Sequence, residues 1–242
     1  RQDAGLILKP VAVFRHSGNE GAGYFALFLN QHAIPWRIFH IDQGEAVPAR
    51  ADDFSGLVFM GGEMSVNDDL PWIPHALALI RDAVARDIPV LGHCLGGQLM
   101  SKALGGVVTK NPVKELGWGA VSVADNDIAR QWFGDITQFD SFHWHGETFS
   151  LPPGAAHLLS SPHCANQAFA IGKHLGMQCH VEMTAHMIED WCRAGAQEIA
   201  DNRHSPAVQD AAIMQAQMHD KLPPLQQVAE RLYRNWLHGI AR

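Results

Sequence analysis

Residues Ile88-Pro-Val-Leu-Gly-His-Cys-Leu-Gly-Gly-Gln-Leu-Met100 leave few folds open to this chain. An apolar run of strand type, Ile88 to Leu91, meets a corner of small residues, and a helix-forming run, Leu95 to Leu104, leaves it. A strand that turns into a helix within so few residues, with one nucleophile at the corner, follows the pattern of a nucleophile elbow. Gly92, Gly96 and Gly97 flank Cys94; glycines there admit strained backbone and let a substrate come close. Unpaired N–H groups and the positive dipole end at a helix start favour an anion, so a thiolate is stabilised at this corner. A core cysteine in a glycine-rich turn would look the same in isolation, because free cysteine is among the most buried residue types. The distinction rests on partners.

A cysteine nucleophile needs a base, and the base needs a group to orient it, with no constraint on chain order. Leu175-Gly-Met-Gln-Cys-His-Val-Glu-Met-Thr184 reads as a strand. At period two, His180 and Glu182 share a face, so the carboxylate can sit beside the imidazole. Cys94, His180 and Glu182 are then nucleophile, base and orienting group.

These motifs resemble the class I (triad) glutamine amidotransferase family. Its Gly-x-Cys-x-Gly-x-Gln elbow is matched by Gly92, Cys94, Gly96 and Gln98, and its His-Pro-Glu sequence by His180-Val181-Glu182 with the proline replaced. Leu57-Val-Phe-Met-Gly-Gly-Glu-Met-Ser-Val66 resembles the family's Gly-Gly-Pro-x-Ser-Val oxyanion loop, again without proline, and Glu115-Leu-Gly-Trp118 resembles a substrate-side Glu-Ile-Gly-Trp segment. The likeness spans about residues 10 to 184. It implies a flavodoxin-like three-layer α/β open sheet, mostly parallel, with added antiparallel strands, and hydrolysis of a γ-glutamyl amide through a cysteine thioester without a cofactor. It also implies that Gln98, and the neighbourhood of Trp144 and His145, contact the glutamyl part of the substrate. An oxyanion hole needs backbone N–H donors that a reacting oxygen can approach; Gly62 and Leu95 are expected to supply them. Glu63 stands where the family's proline would fix φ, so this loop is less constrained.

Three outcomes stay open from these residues: a stand-alone glutaminase serving a separate synthase, a hydrolase or peptidase acting on another γ-glutamyl compound, and a non-catalytic binding or scaffold protein on the same fold. Retention of all three triad residues favours an enzyme. The 242 residues carry 18 Lys+Arg against 25 Asp+Glu, a net charge of −7. No basic run is present, which argues against nucleic acid as a partner. Cys94, Cys164, Cys179 and Cys192 show no C-x-x-C spacing, which suits a reducing compartment. The opening Arg1-Gln-Asp starts no signal peptide and the apolar runs are of strand length, so a cytoplasmic location without membrane contact is expected. A homodimer stays open.

In chain order, strands are expected over Pro10 to Phe14, Trp36 to Ile41 and Gly56 to Met60, a helix over Tyr24 to Gln31, and another over Pro71 to Arg86 with its stripe at Ile73, Leu77, Ile80 and Val84. Strands alternating with helices predict a parallel sheet. Gly105-Gly106 stops the elbow helix. Short strands over Val107 to Thr109, Trp118 to Val123, Thr137 to His143 and Phe169 to Ile171 suggest antiparallel additions. His143, His145 and Glu147 alternate along a strand and could converge on zinc, but paired metal-ligand spacing is absent and no metal is expected. One domain over 1–242 is expected, with a catalytic core over 1–184 and a helical extension over 185–242. In that extension Pro206 and Pro223-Pro224 are predicted to separate about three helices. The extension is expected to pack on the core, with an interface or a cover over the site as the alternative.

Overall fold

In the computed structural model, which describes residues 7–240, the strands are β1 (Val11–Arg15), β2 (Trp36–His40), β3 (Gly56–Phe59), β4 (Val90–His93), β5 (Val108–Val123), β6 (Gln138–Phe149), β7 (Ala156–Ser161), β8 (Cys164–Ile171), β9 (His174–Met177) and β10 (Ala207–Val208). The helices are α1 (Gly23–Gln31), α2 (Trp72–Ala85), α3 (Leu95–Ala103), α4 (Asp127–Phe133), α5 (Ala185–Ala194), α6 (Ala196–Asp201) and α7 (Ala211–Leu237). The opening Arg1-Gln-Asp and both ends of the 1–242 span lie outside the described residues.

Five strands pair in parallel in the order β2-β1-β3-β4-β9, the flavodoxin-like arrangement. From β9 the sheet continues antiparallel through β8, β7 and β5, with β6 and β10 on β5. Period-two alternation decides what each face meets. Val11, Val13, Val58 and Leu91 pack with α1, α5 and α7, while Ala12, Phe14, Leu57 and Phe59 pack with α2 and α3. The result is helix, sheet, helix.

Several expectations change. The strand read over Leu175 to Thr184 ends at Met177. Its neighbour β4 turns into α3 there, so the last ladder bond is Cys94 N–H to the Met177 carbonyl at 2.8 Å, and His180 keeps only a bridge to Phe142. Val107 to Thr109 and Trp118 to Val123 are parts of one strand, β5, whose pairing with β6 shifts between Lys110 and Glu115, around Pro112. β6 and β8 run longer than expected, and β7 is an added strand between β5 and β8.

Pro223 and Pro224 do not break the tail, because α7 runs through both over 27 residues. A proline inside a helix costs about 3 kcal/mol. Burial of Leu222, Leu225, Val228, Leu232 and Trp236, at roughly 1.5–3 kcal/mol a side chain, outweighs the two together. The tail is seated in the main core, where the Trp236 ring lies so close over Gly56 that a Cβ there would come within 2.6 Å of it. Among the described residues no helix is long and apolar enough to cross a membrane.

Candidate active site

β3, β4 and β9 end at the same edge of the sheet, and the chemistry-bearing residues lie just beyond those ends. Cys94 joins β4 to α3 with φ +53° and ψ −108°, a left-handed conformation that L residues rarely adopt and that costs on the order of 1–3 kcal/mol. The turn closes because its neighbours lack side chains. A Cβ on Gly92 would lie 2.4 Å from the Gly96 backbone, and one on Gly96 would lie 2.0 Å from the Phe59 carbonyl oxygen.

His180 is fully buried, and its Nδ1 lies 3.0 and 3.1 Å from the two Glu182 carboxylate oxygens. A carboxylate only accepts, so Nδ1 carries the proton. Nε2 has no hydrogen-bond partner among the described residues. Burial works against a charged ring, but the Glu182 carboxylate and then the Cys94 sulfur act the other way and raise His180 well above the usual histidine range. Glu182 is held low by the same pairing, against its own burial. The imidazole meets the Trp191 ring edge-on, centroids 4.7 Å apart.

The Cys94 sulfur has two further polar neighbours: its S–H reaches the Trp144 carbonyl at 3.6 Å, and the Gln178 side-chain amide donates to it at 3.5 Å. Gly62 abuts Leu95, since a Cβ on Gly62 would lie 2.9 Å from the Leu95 side chain. Among the described residues neither Gly62 N–H nor Leu95 N–H donates a hydrogen bond. Both donors are available to a ligand oxygen.

A cleft of about 670 Å³ opens over this edge, lined among others by Glu20, Gly62, Cys94, Gln98, Trp144 and Trp191. Gln98 reaches it, yet its amide nitrogen is committed to the Glu147 carbonyl at 3.2 Å and to Gln178 Oε1 at 3.0 Å. Trp144 donates from its indole to Glu198 at 2.9 Å. His145 is held between two buried acceptors: Nδ1 faces the Glu147 carbonyl at 2.7 Å and Nε2 faces Glu115 at 2.6 Å. Gln167 and Ser161 also donate to Glu115, whose carboxyl is held down to about 2 against the pull of its burial by His145, His143 and Ser161. The zinc grouping read as His143, His145 and Glu147 is rearranged, since Glu115 rather than Glu147 joins the two histidines, with ligand-type atoms within 4.8 Å of one another. His145 Nε2 and Glu115 stand at hydrogen-bond separation, each already committed to the other.

Three residues escape sequence reading. Gln178 sits two positions before His180 and reads as an ordinary strand polar residue. Trp191 reads as one member of a helical stripe; its indole donates to the Asn19 carbonyl at 2.7 Å and so ties α5 to the loop after β1. Glu20 in that loop faces Gly61 and His180, and a Cβ on Gly61 would lie 2.4 Å from its carboxylate and 3.2 Å from His180 Cε1. Burial pushes the Glu20 carboxyl up to about 7, opposed by His180 and reinforced by Glu182 and Glu63.

Known proteins bear on this geometry. A family model described as glutamine amidotransferase class-I matches residues 30–189. The crystal structure of a glutamine amido transferase from Methylobacillus flagellatus superposes with a TM-score of 0.95 at 44% identity, covering 98% of this chain and 97% of that one. The glutamine amidotransferase-like protein YfeJ of Salmonella typhimurium is 31% identical over 86% of this chain and 91% of its own length. Gamma-glutamyl peptidase 3 of Arabidopsis thaliana is 26% identical over 63% of this chain and 65% of its own. With more than half of its length matched by the family model, and with the flavodoxin-like sheet that its motifs implied, this chain belongs to the class I glutamine amidotransferase family.

Proposed function

We propose that the chain hydrolyses a γ-glutamyl amide through a thioester on Cys94. The observation that carries this is the His180 ring, with Nδ1 held by Glu182 and a buried, unpartnered Nε2 beside a sulfur on a strained elbow. Cys94 gives its proton to His180 Nε2 and the sulfur attacks the side-chain carbonyl carbon; the C=O π pair moves onto the oxygen, which gains negative charge as the C–S bond forms. Gly62 and Leu95 N–H groups hold that oxygen, each worth on the order of 3 kcal/mol in such a hole. His180 gives its proton to the leaving nitrogen, the C–N bond breaks, and ammonia or an amine departs. Water, deprotonated by His180, then attacks the thioester, releasing the γ-carboxyl product and restoring the sulfur. Gln98, Trp144 and His145 line the cleft where the glutamyl part is bound.

Glutamine is the first substrate in this proposal, with the ammonia passed to a separate synthase. A second reading, hydrolysis of a larger γ-glutamyl compound, is favoured by the cleft of about 670 Å³, which exceeds what one glutamine occupies, and by the likeness to gamma-glutamyl peptidase 3. In either case residues 185–242 belong to one unit with the core, as the packing of α7 against α1, β5 and β6 supports. The test is release of ammonia or amine from glutamine and from γ-glutamyl peptides, with Cys94→Ala as the control. Turnover with either, reduced at least about a thousandfold by Cys94→Ala, supports the proposal. Equal turnover by Cys94→Ala overturns the thioester on Cys94, and absence of turnover together with failure of a glutamine-analogue chloroketone to label Cys94 overturns the proposal in favour of a non-catalytic role.

A further inference from the structure

The orientation of the Gln178 amide at the sulfur follows from its neighbours. The Glu147 carbonyl can only accept, so the Gln98 side-chain nitrogen must face it, at 3.2 Å. The second hydrogen on that nitrogen points at Gln178, 3.0 Å away, and requires the Gln178 oxygen there. What Gln178 turns toward Cys94 is therefore its nitrogen, at 3.5 Å, and Gln178 is fully buried. Reversing the amide would set two NH2 groups against each other and put an oxygen on the sulfur. One backbone carbonyl thus sets a chain of two glutamines that ends in a fixed N–H donor.

We infer that Gln178 is a further catalytic residue, whose amide N–H, locked by Gln98, stabilises the Cys94 thiolate and sets the position from which it attacks. The inference rests on the reading of Cys94 as nucleophile. A thiolate accepts from Gln178 without rearrangement, whereas a thiol gives its own hydrogen to the Trp144 carbonyl, a contact of 3.6 Å, or to His180 Nε2 beside it. In so buried a setting, where the local dielectric is low, a fixed N–H donor is worth more to a charged acceptor than to a neutral one. The Gly-x-Cys-x-Gly-x-Gln pattern thereby gains a second purpose in this chain: Gln98 supports the nucleophile through Gln178.

The experiment is the pH dependence of iodoacetamide alkylation of the full chain, followed at the Cys94 peptide by mass spectrometry. Burial pushes the thiols of Cys164 and Cys179 up to about 11 and about 12, so they stay silent in the working range. In Gln178→Met, which keeps length and removes the donor, the half-rise of the rate is expected to move up by about one pH unit or more, with a tenfold slower reaction near neutrality. Gln178→Glu is expected to move it further. An unmoved half-rise in folded Gln178→Met overturns the inference. Should that variant not fold, Gln98→Leu keeps Gln178 and removes the group that orients it; an upward move supports the inference and an unmoved half-rise overturns it. If Cys94 of the unaltered chain reacts no more readily than a free cysteine, the nucleophile reading falls and this inference with it. An unmoved half-rise beside a reactive Cys94 overturns the role of Gln178 alone.

Discussion

Glu115→Gln isolates the buried charge behind the substrate cleft. Two donors converge on one oxygen of Glu115, His145 Nε2 at 2.6 Å and Gln167 Nε2 at 2.7 Å, and Ser161 Oγ reaches the other at 2.8 Å. Burial opposes the charge, yet the donors and the histidines lower the carboxyl from 4.5 to about 2. Each pH unit between those values carries about 1.4 kcal/mol, so the ionised form contributes about 3 kcal/mol to stability. No discount for solvent applies, because Glu115 is only 4% exposed. The sign comes from a folded value below the unfolded one: the contribution is complete above about pH 4.5 and is lost as the pH falls toward 2. Glutamine keeps the shape and one acceptor but removes the charge opposite His145. Urea unfolding at pH 7 is expected to show the variant less stable by about 3 kcal/mol, with a gap that narrows below pH 4.5. Since His145 and its neighbours line the cleft, KM is expected to rise more than kcat falls. Equal stability at pH 7, or a gap of the same size at pH 3, would refute the account of a buried carboxylate held in its charged form.

Glu20→Gln has the opposite sign. A carboxyl raised to about 7 in the folded chain from 4.5 loses its favourable contribution as the pH rises through 7, so the variant should match the unaltered chain at pH 4 and exceed it at pH 8. Discounted for an edge open to the cleft, the gain is about 2 kcal/mol, read from thermal melts at the two pH values. Tyr233→Phe removes the 2.9 Å hydrogen bond to His93 Nε2 and leaves that ring buried with neither nitrogen partnered; chemical denaturation should record a loss of about 1 kcal/mol. Gly96→Ala sets a Cβ 2.0 Å from the Phe59 carbonyl oxygen, a backbone atom that has no rotamer to yield. A loss of about 3 kcal/mol or more is expected, and a variant that melts with the unaltered chain would show that the elbow has slack.

How far the fold is legible in the sequence depends on how locally each element is determined. β1, β3, α2 and the elbow are set by apolar runs and glycines within a few residues, and the structure keeps them within one or two positions. The antiparallel half, β5 to β8, reads short because its strands are only partly buried. Lys110, Lys114, Glu147 and Asn166 interrupt the apolar alternation there, and long-range pairing rather than composition extends the ladder. The two prolines of α7 mislead for the converse reason: a strong local rule gives way to a stripe of side chains that a distant part of the chain buries.

The candidate site is legible where one residue type in one turn marks it, as with Cys94 and the His180-Glu182 pair. It is illegible where the role belongs to a contact. Nothing in Gln178 or Glu20 marks either as a neighbour of the sulfur or the imidazole until β9 is known to lie beside β4. That adjacency cannot be read along the chain, because four antiparallel strands intervene between the two. Once β9 returns to pair in parallel with β4, both strands end at the same edge, with Gly92 opposite Gly176 and His93 opposite Met177. The next residue of one strand is Cys94, the nucleophile of the proposed reaction, and the next of the other is Gln178, with His180 two positions on. Parallel register, not residue spacing, thus brings sulfur, amide and imidazole together. The same register ends the pairing with β4 there, because the Cys94 N–H closes it on the Met177 carbonyl, while Gln178 N–H still bonds the Gln167 carbonyl and His180 N–H the Phe142 carbonyl. A regular strand to Thr184 would have carried Gln178, His180 and Glu182 along one face at fixed spacing. The early end of β9 lets the Glu182 carboxylate meet His180 Nδ1 while Nε2 stays free.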